Sequence, residues 1–405
     1  TAVYPMSAKD DIKDTPLLFI PGIFGSHLTT KSDGERVYLN SSTALGLRTP
    51  DLSLPLTWED NPPGKQQSPC PLIGAEEDGC LEYVKLCGIN IVGIYGPWLD
   101  KARAAGRNVI VFSWDWRRQF DEVSRIFESF LENVVSKNGG RPVQVVAHSS
   151  GGLIALPILN KRGSELFHSV VFAGCPFGPG VLPYTWLTNG TSIGLNKRLL
   201  SPSVLFSHGV LWNFLSFGSD FDNDRGWSLL NSANKKEGKM FTALMDEDGE
   251  NPLSDFNPIQ PEDWIKHQLS IFQNGHTVSP EEIQHLKNSL DAGRSYRELM
   301  ISSSAQSKTQ SDPIPVVVLR SSHKNTMQTM RRKTIAEKKW EWEIIHGPTG
   351  DGTVHSVNTV PPPGVKHRIV EAPDQIHSKL MEMPGFVDVV LNELHTEWMS
   401  NQGGG

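Results

Sequence analysis

Val143-Gln-Val-Val-Ala-His-Ser-Ser-Gly-Gly-Leu153 (VQVVAHSSGGL) runs from β-branched residues into two adjacent serines and two glycines, and Leu153-Ile-Ala-Leu-Pro-Ile-Leu159 carries on with a helical composition. A strand that enters a helix through so tight a turn presents its apex residue above the edge of a sheet, provided the residues two before and two after have almost no side chain. With Ser149 at the apex those positions are Ala147 and Gly151; with Ser150 they are His148 and Gly152, and an imidazole has no room there. Ser149 is therefore the candidate nucleophile, in an A-x-S-x-G version of the G-x-S-x-G pattern. Short Ser/Gly turns also occur for purely structural reasons, so the reading needs partners elsewhere in the chain.

The surrounding sequence supplies a sheet for this turn. Leu17-Leu-Phe-Ile20, Val109-Ile-Val-Phe112, Val143-Gln-Val-Val146, Ser169-Val-Val-Phe172, Val316-Val-Val-Leu319 and Arg368-Ile-Val370 are short apolar runs bounded by Gly, Pro or charge. Such runs suit parallel strands buried on both faces. Between them, Asp121 to Lys137 places Val123, Ile126, Phe127, Phe130, Leu131 and Val134 at spacings of three and four, the stripe of an amphipathic helix that closes before Gly139-Gly140. Strand, helix, strand in this order predicts an α/β fold with a mostly parallel central sheet flanked by helices. Two stretches break the rhythm. Residues 31–88, rich in Pro, Gly, Ser and Asp, read as a lid-like loop insertion. Residues 179–311, with aromatic clusters and a helical piece from Pro280 to Leu290, read as a cap insertion, so that 1–405 is a single domain.

A serine hydroxyl is a weak nucleophile, and the hypothesis demands a base, an acid that orients the base, and an oxyanion hole. For this kind of turn the acid and then the histidine follow the serine along the chain. Gly350-Asp-Gly-Thr-Val354 offers Asp351, and Ile376-His-Ser378 offers His377 just past the last predicted strand. Asp351 would hold the His377 imidazole in one tautomer, and His377 would take the Ser149 proton and return it to the leaving group. Asp374 is too close to His377 in the chain to reach round its ring, and His355 and His148 fit the expected order less well. The oxyanion donors are the N–H groups of Ser150 and of Ile23, the latter in the loop after the first strand, where Gly22 and Gly25 let the backbone swing in. Each piece has a plainer reading: an Asp between glycines is a turn former, and Pro21-Gly22 ends a strand. Their joint order argues for the catalytic one.

With these residues in view, LLFIPGIFGSHL, Tyr95 to Arg118 with Asp115-Trp-Arg117, AHSSGG, VFAGCPFGPG and GDGTV resemble, as islands across most of the chain, the lecithin:cholesterol acyltransferase family, which includes lysosomal phospholipase A2 and phospholipid:diacylglycerol acyltransferases. The resemblance implies an α/β-hydrolase fold with a cap and a lid, and an enzyme that cleaves a lipid acyl ester through an acyl-serine, passing the acyl group to water or an alcohol. It implies Ser149, Asp351 and His377 as the triad and Ile23 and Ser150 as oxyanion donors. The stretch 31–88 resembles the family's disulfide-pinned lid. Phe24, Trp116, Phe177 and Trp212 are candidate substrate contacts, and Phe206, Leu211, Phe214 and Phe217 are further apolar residues that would suit an acyl chain. The plainer reading makes most of the cap aromatics the cap's own core. An exposed remainder would suit contact with a membrane or lipoprotein surface.

Bulk properties restrict the alternatives. A net charge of −7, with Lys and Arg scattered, gives no field for nucleic acid. No apolar run approaches the ~20 residues that span a bilayer, and TAVYPMSAKD lacks the pattern of a secretory leader. Cys70, Cys80, Cys87 and Cys175 include no zinc-knuckle spacing, and Cys70 paired with Cys80 or Cys87 would pin the lid in an oxidising compartment; the alternative is reduced thiols. The sequons at Asn40 and Asn189 add to a secreted or lumenal expectation. No metal or organic cofactor is implied. The expected function is a serine acyl-ester hydrolase or acyltransferase acting on a lipid; the alternatives are an esterase of small soluble esters and a catalytically silent fold that binds a lipid or a partner.

Overall fold

The computed structural model describes residues 12–56, 73–86, 89–215, 244–249, 253–308, 314–336 and 339–393. The chain forms β1 (Leu17–Ile20), β2 (Ser26–Thr30), β3 (Arg36–Tyr38), α1 (Ser41–Ala44), β4 (Ile73–Cys80), β5 (Tyr83–Leu86), β6 (Ile89–Gly93) and α2 (Gly96–Ala104). There follow β7 (Val109–Val111), α3 (Phe120–Lys137), β8 (Val143–His148), α4 (Gly151–Arg162), β9 (Phe167–Ala173), α5 (Leu182–Asn189), β10 (Thr191–Ile193), β11 (Asn196–Leu200) and α6 (Pro202–Phe206). The last part holds β12 (Leu244–Met245), α7 (Pro261–Lys266), α8 (Pro280–Ala305), β13 (Val316–Arg320), β14 (Lys324–Ala336), β15 (Lys339–Gly350) and β16 (Arg368–Glu371).

All six apolar runs read from the sequence are strands of one sheet, ordered β16-β13-β9-β8-β1-β7, with every neighbouring pair parallel. Within β1 the side chains alternate: Leu18 and Ile20 enter the core that holds Phe112, Phe127 and Leu153, while Leu17 and Phe19 enter the one that holds Trp98 and Phe386. Burying each such side chain stabilises the fold by about 1.5–3 kcal/mol. The register sets Ile20 beside Ala147, Ala173 beside His148 and Leu319, and Arg320 beside Glu371. The loops after these strands therefore leave from one rim, where open α/β sheets place their sites.

The insertions are more structured than their composition suggests. Within 31–88, β3 and β4 flank β2 in an antiparallel sheet and β5 pairs with β6. Cys80 is a buried thiol, free among the described residues; Cys70 and Cys87, the other cysteines of the expected lid pairing, lie outside them. Asn40 has a structural task besides any sequon: its Oδ1 accepts the Thr43 N–H at 3.0 Å and its Nδ2 donates to the Arg36 carbonyl, capping α1. In 179–311, α8 starts where expected, at a Ser279/Glu282 capping box, but runs on past Leu290, burying Tyr296, Met300 and Ile301. Asp291-Ala-Gly-Arg-Ser conceals that continuation in the sequence.

A further element is not among the strands read above, although Trp340-Glu-Trp-Glu-Ile344 alternates as a strand does. β14 and β15 form a long antiparallel hairpin between β13 and Asp351, and β14 also pairs with β12. The hairpin brings the chain back to its own base, where Lys324 bridges to Asp351. Asp351 thus stands near the end of β13 although some thirty residues of hairpin intervene.

Asp115-Trp-Arg117 braces the rim. The fully buried Arg117 meets Asp115 through Nε at 2.8 Å and Nη2 at 2.7 Å, and Nη2 also reaches the Ile73 carbonyl at 3.1 Å. Burial alone would raise the Asp115 carboxyl, but the Arg117 charge and hydrogen bonds outweigh it and hold the carboxyl below its ordinary value. Arg117→Ala removes the guanidinium from a largely buried carboxylate, with an expected loss of about 3 kcal/mol in urea unfolding. The pair's contribution is present above the ordinary carboxylate range and is lost as pH falls through the lowered value.

Candidate active site

Ser149 sits between β8 and α4 with φ +53°, a left-handed conformation that costs a non-glycine residue about 1–3 kcal/mol. Two hydrogen bonds hold the turn: Ser149 N–H to the Ala173 carbonyl at 2.8 Å and Gly152 N–H to the Ser149 carbonyl at 3.1 Å. The small residues around it are sterically required. A Cβ on Gly151 would stand 2.6 Å from the Ile20 carbonyl oxygen, and one on Gly22 would stand 2.7 Å from Ser149 Cβ. Gly152, in turn, leaves the space that Cys175 Sγ fills, 2.3 Å from where its Cβ would be.

Asp351 and His377, 26 residues apart, meet directly. His377 Nδ1 lies 2.7 Å from Asp351 Oδ2, and the His377 N–H donates to the Asp351 carbonyl at 2.9 Å. Asp351 Oδ1 accepts the N–H groups of Thr353 (2.9 Å) and Val354 (2.8 Å), so the Gly-flanked loop folds round its own carboxylate. Burial acts to raise the Asp351 carboxyl, but the His377 charge and these hydrogen bonds outweigh it and hold it below its ordinary value. Asp351 is thereby kept an anion that accepts from Nδ1–H and leaves Nε2 as the basic nitrogen. The end of β9 passes beneath the pair: a Cβ on Gly174 would stand 3.0 Å from His377 Nδ1 and 3.1 Å from Asp351 Oδ2. The His377 ring lies 4.7 Å, centre to centre, from that of His148, the residue before Ser149.

The proposed oxyanion loop holds a surprise. The Ile23 N–H donates to Ser150 Oγ at 2.6 Å, so this donor has a partner within the protein. The Ser150 side chain, which the sequence reading left without a task, serves as its acceptor. Ser150→Ala is expected to lower kcat/KM by about tenfold, the scale of one lost hydrogen bond; assay of a soluble 4-nitrophenyl ester checks this against Ser149→Ala, whose loss should be far larger.

Ser149 opens on a narrow cleft whose apolar wall includes Ile23, Val181, Leu182, Trp186, Phe214 and Met327. Of the expected contacts, Phe24 adjoins this wall, its ring 5.2 Å from Trp186 and 4.8 Å from Trp116. Trp116, Phe177 and Trp212 do not line it: they are fully buried, Trp116 donating to the Ser26 carbonyl, Phe177 packing on Phe172 and Trp212 on Phe206 and Trp264. Aromaticity marked them in the sequence, but it marks core and wall alike. Trp186 and Met327 were missed, and Met327 comes from the unforeseen hairpin. Phe217 lies outside the described residues. His355 reaches the cavity with both ring nitrogens engaged, Nδ1 by Thr349 Oγ1 at 2.7 Å and Nε2 by the Met327 carbonyl at 2.9 Å, and burial lowers its basicity.

Comparison with known proteins agrees with this architecture. Residues 82–205, which hold the Tyr95–Arg118 island, the Ser149 turn and VFAGCPFGPG, match the family model of lecithin:cholesterol acyltransferase, so the resemblance read from the sequence is borne out over that segment. Among solved structures, a chain of the Tle4-Tli4 complex is similar at a TM-score of 0.55 and 13% identity, covering 96% of this chain and 98% of that one. A putative aryl esterase from Burkholderia cenocepacia aligns at TM-score 0.35 and 9% identity, covering 96% and 93%, and the monoacylglycerol lipase of Paleococcus ferrophilus at 0.30 and 14%, covering 76% and 88%. No curated protein matches the chain. The fold is that of the α/β-hydrolases.

Proposed function

We propose that this protein is a serine acyl hydrolase or acyltransferase that cleaves a lipid acyl ester through an acyl-Ser149 intermediate. The observation that carries the reading is the Asp351–His377 pair at 2.7 Å on the same rim as the strained Ser149 turn. His377 Nε2 takes the Ser149 proton as Oγ attacks the ester carbonyl. The oxyanion is met by the Ser150 N–H and by the Ile23 N–H, which shares its proton between the oxyanion and Ser150 Oγ and is held in place by the latter. Collapse breaks the ester C–O bond, and the proton on His377 goes to the departing alcohol. Water or a second alcohol, deprotonated by His377, then attacks the acyl-enzyme and frees Ser149. Every role is filled by the chain's own residues.

The cavity supports an acyl chain as the recognised part, since no charged side chain is among its described lining residues. In this reading 179–311 is the cap and 31–88 the lid, and the enzyme meets its substrate at a lipid or lipoprotein surface in a secretory or lumenal setting. No helix among the described residues is long and apolar enough to cross a membrane. The test is incubation with an acyl-labelled phospholipid or neutral-lipid emulsion, with and without a long-chain alcohol. Labelled fatty acid alone identifies a hydrolase, and a new labelled ester identifies a transferase. Turnover confined to dispersed short-chain esters would replace this reading with an esterase of small soluble esters.

A further inference from the structure

A buried polar chain that the reaction does not use links the two sides of the site. The Gly22 N–H donates to Tyr95 Oη at 3.0 Å, Tyr95 Oη is 2.9 Å from His148 Nδ1, and His148 Nε2 is 3.0 Å from the His377 carbonyl oxygen. Tyr95 and His148 are both buried. Chemistry sets the direction of each bond. A carbonyl only accepts, so the His148 proton is on Nε2; Nδ1 then accepts, and the Tyr95 hydroxyl donates to it while its oxygen receives the Gly22 N–H. Burial, with the nearby His377 charge, pushes His148 down to about 3, which keeps the ring neutral and this pattern intact near neutral pH.

We infer that Tyr95 and His148 are positioning residues that tie the oxyanion loop to the main chain of His377. The inference rests on the catalytic reading of Ser149 and His377 given above. Gly22 follows β1, Tyr95 precedes α2, His148 ends β8 and His377 follows β16, so the chain joins four separate segments at the rim. The next residue after Gly22 bears the Ile23 N–H, and His148 directly precedes Ser149. A broken link leaves a buried donor or acceptor unpaired, at about 1–3 kcal/mol, and the loops relax to satisfy it. Relaxation of about 1 Å in such groups costs about a hundredfold in rate.

The experiment measures kcat and KM on a soluble 4-nitrophenyl ester for Tyr95→Phe, His148→Leu and His148→Gln, with thermal melts to establish that each is folded. Tyr95→Phe keeps the ring and loses only the hydroxyl; its kcat is expected to fall about tenfold with KM unchanged. His148→Leu is expected to lose about a hundredfold in kcat. His148→Gln, whose amide nitrogen can stand where Nε2 stood and donate to the His377 carbonyl, is expected to recover most of that loss. A packing role alone would not separate Gln from Leu in this direction. Unchanged kcat in Tyr95→Phe, or a Gln variant as slow as the Leu variant, overturns the inference; if His148→Leu does not fold, Tyr95→Phe decides. Fluorophosphonate labelling separates the two levels. Labelling lost in Ser149→Ala with unchanged kcat in Tyr95→Phe removes the positioning role alone, whereas labelling that persists in Ser149→Ala removes the catalytic reading and this inference with it.

Discussion

Ser149→Ala is expected to lower ester turnover by roughly 10⁴- to 10⁶-fold while leaving the protein folded. The substitution removes one buried oxygen atom for which no other group in the proposed mechanism substitutes. Alanine fits the turn as serine does, because the hydrogen bonds that hold it use the backbone of residue 149, and its Cβ faces the same gap beside Gly22. The remaining rate would come from binding and from the oxyanion donors. Stopped assays at high enzyme concentration, with a thermal melt alongside, make the comparison; a folded Ser149→Ala enzyme with wild-type turnover would sink the assignment. The neighbouring Ser150→Ala acts as the internal control, since its expected loss is that of a hydrogen bond and not of a nucleophile.

Asp351→Asn is the second large effect, expected at about 10⁴-fold in kcat. An asparagine that keeps an oxygen toward Thr353 and Val354 turns its NH₂ group toward His377 Nδ1, so that Nδ1 must accept and Nε2 carries the proton. The imidazole is then held in the tautomer that cannot take a proton from Ser149. The same substitution reports on stability. Because the folded Asp351 carboxyl is below its unfolded value, its contribution is fully present above the ordinary Asp value of about 3.9 and disappears as pH falls through the folded value. Urea unfolding as a function of pH should therefore show a shallower acid limb in Asp351→Asn than in the wild type. An unchanged acid limb together with near-wild-type kcat would show that the carboxylate is not the partner His377 depends on.

The buried His148 has a parallel consequence with its own window. Its folded value of about 3 is below the ordinary histidine value, so the unfolded chain binds the proton more readily. The contribution of the neutral ring is present above about pH 6.5 and is lost progressively as pH falls toward the folded value. This range opens above that of Asp351, so the loss between about pH 6.5 and 4 reports on His148, and the two overlap only below it.

Much of this site was legible from residue size and order. Ala147 and Gly151 selected Ser149 over Ser150, and the structure supplies the atom responsible, the Ile20 carbonyl that crowds Gly151. Asp351 was found from its flanking glycines although the hairpin before it was not, because the loop that wraps a carboxylate is encoded locally. The aromatic contacts were less legible. Trp116, Phe177 and Trp212 are as apolar as Trp186 and Phe214, and only the path of the cap decides which of them faces a cavity.

By itself, then, the sequence determined the six parallel strands, the amphipathic α3 and the tight turn at Ser149, since strand burial, helical periodicity and turn sterics depend on residues a few places apart. Tertiary structure alone decided three things: that a hairpin returns Asp351 to the rim, that Ser150 Oγ receives the Ile23 N–H, and that Tyr95 and His148 bridge Gly22 to His377. These contacts join groups that are up to 229 residues apart. Their partners are chosen by how the insertions fold and where the loops leave the sheet, and no local periodicity records that choice.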